Sequence, residues 1–87
     1  MSNTAKVEIY TTPICGYCHR AKGLLQKKGV KFKEINVMLN KDKRREMEER
    51  TNSHTVPQIF INDKPIGGSD ELFELDFDGE LNSMLGI

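Results

Sequence analysis

Cys15 and Cys18 are the only cysteines in the chain, and two residues separate them in Cys15-Gly16-Tyr17-Cys18. A short apolar alternation, Val7 and Ile9, precedes the pair, and a helix-like run follows it. A cysteine at the start of a helix points its sulfur at unpaired backbone N–H groups and at the positive end of the macrodipole. Both favour the thiolate, which is the reactive form of the side chain. Cysteines at i and i+3 across such a turn can also close into a disulfide with little backbone movement. Strand, C-x-x-C and helix, in that order, form a redox signature. The plainer alternative is a pair of buried, unreactive thiols.

Two further stretches suit ligand binding. In Gly67-Gly68-Ser69-Asp70, two glycines stand before a helix start. Glycine lets the backbone approach a ligand closely, and free N–H groups at Ser69 and Asp70 can hold a carboxylate. A plain turn capped by Ser69 or Asp70 fits the same residues. Val56-Pro57, taken alone, reads as an ordinary trans proline opening a strand. Other uses of the cysteine pair fit less well. Cys15 to His19 matches the C-x-x-C-H pattern of c-type haem attachment, but that chemistry needs export machinery, and β-rich flanks do not suit a small cytochrome. Tetrahedral zinc needs four ligands, and the sole histidines, His19 and His54, stand at no finger-like spacing.

The elements that must position these residues are short. Val7 to Tyr10 alternates and predicts a first strand. Gly16 to Lys28 predicts a helix with Ala21, Leu24 and Leu25 on one face and Gly29 as its stop. A second strand falls within Val30 to Val37, so strand, helix and strand suggest a right-handed parallel crossover. Asn40 caps a nearly all-charged helix from about Lys41 to Arg50, with Met47 its main apolar contact. The i, i+4 pairs Arg44/Glu48, Arg45/Glu49 and Glu46/Arg50 support it, and it is expected to be the least firmly anchored helix. Gln58 to Ile61 is a third strand, Asn62-Asp63 a two-residue hairpin turn, and Lys64 to Ile66 a short edge strand that tolerates Pro65. A helix through about Phe77 and a short final helix holding Leu81, Met84 and Leu85 complete a β-α-β-α-β-β-α-(α) order.

Composition narrows the function class. The chain has 87 residues, 37% hydrophobic and 30% charged, with a formal net charge of zero. That length supports a single domain over residues 1–87, with a thin sheet covered by a few helices and no large internal cavity. Zero net charge gives no pointer to nucleic acid or membrane. Met1 to Lys6 is polar and lacks the apolar core of a signal peptide, and no stretch is apolar enough to span a bilayer. A cytoplasmic location is therefore expected, where structural disulfides are rare and a lone cysteine pair is reactive or metal-binding.

Four separated motifs, Cys15-Gly16-Tyr17-Cys18, Arg44, Thr55-Val56-Pro57 and Gly67-Gly68-Ser69-Asp70, give the chain a resemblance to the glutaredoxins, closest to the small bacterial dithiol type, over nearly all of Lys6 to Leu85. The resemblance implies an α/β thioredoxin fold with a four-stranded mixed sheet in the order 2-1-3-4. It implies a glutathione-dependent reductase of protein disulfides and glutathione mixed disulfides, with Cys15 as nucleophile and Cys18 as resolving thiol. Glutathione acts as reductant and co-substrate, and glutathione reductase supports it indirectly. Thr55, Val56 and Pro57 would form a cis-proline loop whose Val56 backbone pairs with the cysteinyl part of glutathione. Gly68, Ser69 and Asp70 would take the γ-glutamyl end, Arg44 the glycine carboxylate, and Tyr17 would pack beside the ligand.

Two departures from the family pattern matter. Thr12 stands where many dithiol members carry a lysine, which removes one source of thiolate stabilisation. Gly16 replaces the commonest proline, and members with glycine there can share a two-iron two-sulfur cluster between two subunits through the nucleophilic cysteine and glutathione. Cluster carriage, with Cys15 as the metal ligand, is thus an alternative function. Electron donation dependent on thioredoxin reductase is another. The expected state is a monomer, dimeric only if a cluster is bound.

Overall fold

Alternating apolar residues at Val7 and Ile9, and at Ile59 and Ile61, put one apolar row on the same face of two neighbouring strands. In the computed structural model, which describes residues 5–87, these strands are β1 (Val7–Thr11) and β3 (Gln58–Ile61). They pair antiparallel with Ile9 opposite Ile59. The first four residues of the polar N-terminal segment lie outside the described residues. Between β1 and β3 in the chain come α1 (Gly16–Lys27), β2 (Lys33–Asn36) and α2 (Lys41–Thr51), and after them β4 (Lys64–Gly67), α3 (Ser69–Phe77) and α4 (Glu80–Leu85). The sheet order is β2-β1-β3-β4, with β1 and β2 parallel and β3 and β4 antiparallel. This is the mixed four-stranded sheet anticipated from the sequence.

Each face of the sheet has its own core. Val7, Ile9, Ile59 and Ile61 pack with Ala21, Leu24 and Leu25 of α1, Leu72 of α3, and Leu81 and Leu85 of α4. Tyr10, Ile35, Val37 and Phe60 pack with Met47 of α2 on the other face. With both faces covered, β1 is buried along its whole length, its Glu8 included. Second-strand pairing is shorter than the alternation suggests: it spans Lys33–Asn36, while Val30 and Val37 are buried beyond its ends.

Helix α2 behaves differently from the reading of its charges. None of the three expected i, i+4 ion pairs forms among the described residues. Glu46 pairs instead with Lys43 at 3.1 Å, one turn earlier, and Arg44, Glu46 and Arg50 also find tertiary partners. Glu46 accepts a hydrogen bond from the Tyr10 hydroxyl at 2.6 Å. Arg50 lies 3.7 Å from the centroid of the Phe60 ring and donates to the Tyr10 hydroxyl at 2.8 Å and to Glu8 at 3.3 Å. Arg44 donates to the His54 carbonyl at 3.0 Å. Long charged side chains whose stems cover apolar surface thus dock a helix that has one fully buried residue, Met47. Local turns follow their residues more simply. Asn40 accepts the Lys43 N–H at 3.0 Å as an N-cap. Asn62 and Asp63 take φ of 53° and 66°, the two positive values of a type I′ hairpin.

Candidate active site

Cys15 is the N-cap of α1, and its sulfur accepts the Cys18 N–H at 3.2 Å. One of the orphan donors at the helix start is therefore satisfied by sulfur. The same sulfur lies 3.7 Å from the Val56 carbonyl oxygen, so the loop before β3 meets the start of α1 where the end of β1 pairs with the start of β3. Cys15 is half-buried, Cys18 is fully buried, and both are free thiols. Burial pushes the Cys18 thiol up to about 12, helped by its hydrogen bond with Cys15. A raised thiol pKa keeps the proton on sulfur at neutral pH. Alkylation near pH 7 is therefore expected to label Cys15 and spare Cys18, as peptide mass mapping would show. Folded Cys18 also holds a proton that the unfolded chain releases above about 9, so stability is expected to fall as pH rises from 9 toward 12.

The Val56-Pro57 bond is cis. Taken alone, the dipeptide reads as trans, and no residue nearby signals otherwise; the resemblance carried that feature. Beside it opens a cleft of about 150 Å³ lined by Tyr17, Thr55, Val56, Pro57, Gly68, Ser69, Asp70 and Glu71. Seven of the residues singled out in the sequence therefore share one cleft, and Cys15 reaches its edge through Val56. Tyr17 is 59% exposed and free to cover a ligand. Arg44 is not among the lining residues. It sits on α2, and its Nη1 is engaged by the carbonyl of His54, the residue before Thr55.

The glycine-led turn differs in one detail from its sequence reading. The cap of α3 is Gly68, not Ser69 or Asp70: Gly68 is extended, and Ser69 is already the first helical residue. Glu71 explains the shift. Its carboxylate returns to accept the Gly68 N–H at 2.7 Å, as the third helical residue does in a capping box. A glutamate three residues after the true cap is the available signal, and a cap at Ser69 or Asp70 hides it. Gly67 takes φ +113°, and a Cβ there would stand 2.9 Å from Glu71 Cγ. Both the backbone and the space therefore require glycine at that position. The N–H groups of Ser69 and Asp70 then lie in the first turn of α3, where an anion is favoured. Among the described residues no group of three or more His, Cys, Asp or Glu side chains converges on a metal-sized site.

The glutaredoxin family model matches residues 7–66. Glutaredoxin 3 of Escherichia coli K12 is 53% identical over 81 residues, covering 93% of this chain and 98% of the relative. A glutaredoxin of Pseudomonas aeruginosa is 47% identical over 79 residues, covering 91% and 94% respectively. The solution structure of glutaredoxin from Brucella melitensis superposes with a TM-score of 0.85 at 45% identity, over 97% of this chain and 91% of that one. The crystal structure of a buckwheat glutaredoxin–glutathione complex superposes with a TM-score of 0.86 at 32% identity, over 94% and 77%.

Proposed function

This chain belongs to the glutaredoxin family of thiol–disulfide oxidoreductases, and on that premise we propose that it reduces glutathionylated proteins and protein disulfides with glutathione. Cys15 is the nucleophile. Its thiolate attacks the glutathione sulfur of a protein–glutathione disulfide, forming a Cys15–glutathione disulfide and releasing the protein thiolate, which takes up a proton. The thiolate of a second glutathione then attacks the bound glutathione sulfur, giving glutathione disulfide and free Cys15. Alternatively, Cys18 gives up its proton and attacks Cys15, closing the intramolecular disulfide and releasing glutathione.

The observation that carries this reading is the cleft. A nucleophile candidate stands at one end beside the Val56 carbonyl, and the first turn of α3 stands at the other with Ser69 and Asp70 in its lining. An extended tripeptide fits that arrangement: its cysteinyl backbone pairs with Val56, and its γ-glutamyl carboxylate meets the N–H groups of Ser69 and Asp70. Asp70 faces the amine. Arg44 has guanidinium donors beyond the one held by His54, and these serve the glycine carboxylate. That a buckwheat relative was crystallised with glutathione supports the same ligand here. No feature of the cleft favours the cluster-carrier alternative or the one dependent on thioredoxin reductase.

The test is turnover of a glutathionylated peptide with glutathione, glutathione reductase and NADPH, followed by NADPH loss. Robust turnover is expected. Turnover supported by thioredoxin reductase alone would sink the assignment.

A further inference from the structure

The backbone of Val56 is placed by a loop, and a loop holds position only where something fixes it. We propose that Gln58, the first residue of β3, is a positioning residue for the glutathione site, its carboxamide fixing the 53–57 loop so that Val56 faces the cleft. This rests on the glutathione reading above. Gln58 is 6% exposed although it is polar, and it lies on the Phe60 face of β3, opposite Tyr10 of β1. Its Nε2 donates to the Thr55 carbonyl at 3.0 Å, the Thr55 hydroxyl at 3.1 Å and the Ser53 hydroxyl at 3.3 Å. An amide nitrogen carries two hydrogens, so these three acceptors share them. Ser53 and Thr55 are joined hydroxyl to hydroxyl at 3.0 Å, and the Ser53 N–H donates to Thr51 Oγ1 at 3.0 Å. One buried side chain thereby ties the end of α2 to the residue before Val56.

Gln58 does not line the cleft and touches no reacting atom, so it acts through Thr55. A buried donor without acceptors is costly, and acceptors stripped of their donor are costly too. The loop is therefore held only while the carboxamide is present. Methionine matches its length and burial but donates nothing. Glutamate matches its shape but sets a carboxylate against the Thr55 carbonyl.

The experiment compares the parent chain with Gln58→Met, Gln58→Glu and Ser53→Ala at a temperature where circular dichroism shows each of them folded. Steady-state kinetics are run in the glutathione-coupled assay, with backbone order parameters of Thr55 and Val56 measured by NMR. The two Gln58 variants are expected to raise the KM for glutathionylated peptide roughly 3- to 10-fold, the scale of one lost hydrogen bond, with kcat within about twofold. Order at Thr55 and Val56 is expected to drop. Ser53→Ala, which removes one acceptor, is expected to shift both readouts the same way by less, and it keeps the test alive if a Gln58 variant does not fold. A folded Gln58 variant with unchanged KM and unchanged order at both residues overturns the proposal. If the parent chain shows no glutathione-dependent turnover, the function reading fails, and the order parameters alone decide whether Gln58 positions the loop.

Discussion

Cys15→Ser is expected to lower turnover of a glutathionylated peptide by about 10³-fold or more, the order of effect that follows loss of a nucleophile, while Cys18→Ser is expected to stay active. The asymmetry comes from the surroundings of two identical functional groups. Cys15 is half-buried at a helix start, with its sulfur accepting a backbone N–H. Cys18 is fully buried, with its thiol pushed up to about 12. At neutral pH the second sulfur must shed a tightly held proton before it can attack, whereas free glutathione in solution carries no such burial cost. Capping Cys15 with glutathione leaves the burial of Cys18 in place. The route through a second glutathione is therefore expected to dominate for mixed disulfides. Parallel assays of both serine variants, with mass spectrometry of the trapped Cys15–glutathione adduct in Cys18→Ser, check this. Full activity in Cys15→Ser would reverse the roles.

Arg50→Ala is expected to weaken the α2 face strongly. It would cost about 2–3 kcal/mol, somewhat below the range for breaking a fully buried ion pair, because the Arg50 side chain is 26% exposed. The substitution removes the guanidinium stacked on Phe60. It also leaves the carboxylate of Glu8, a buried residue, and the hydroxyl of Tyr10 without their donor. For a domain of this size, that corresponds to a fall in Tm of roughly 10–20 °C, read by circular dichroism. Glu8→Gln added to Arg50→Ala removes the stranded charge, so the double variant is expected to recover part of the loss. Additive losses would show that Glu8 and Arg50 are not coupled.

Much of this protein is legible in its residues. Strand and helix positions follow from the apolar periods, the hairpin from Asn62-Asp63, and the start of α2 from Asn40. What stayed hidden depends on residues far apart in the chain. The charges of α2 read as neighbours pairing along one helix, yet Glu46 and Arg50 turn inward to Tyr10, Glu8 and Phe60, partners that only sheet assembly supplies. Serine and aspartate are stronger capping types than glycine, so the residues point to Ser69 or Asp70 as the cap of α3, and the return of the Glu71 carboxylate puts it at Gly68. Gln58 gave no signal at all. A glutamine at a strand start looks like an edge of the polar surface, and its role appears only when the loop before it folds back over it. Arg44, expected at the glycine carboxylate of glutathione, stands outside the cleft lining with its Nη1 bonded to the His54 carbonyl, a contact its sequence neighbours do not signal.

The outer borders of the sheet carry a last consequence. Strand β2 is four residues long, and three of them, Lys33, Glu34 and Asn36, are exposed. Strand β4 contains Pro65, which has no amide hydrogen to offer. Neither margin invites a foreign polypeptide to extend the ladder. A second copy of the chain therefore finds no ready strand border to lengthen, and assembly through the sheet is not expected.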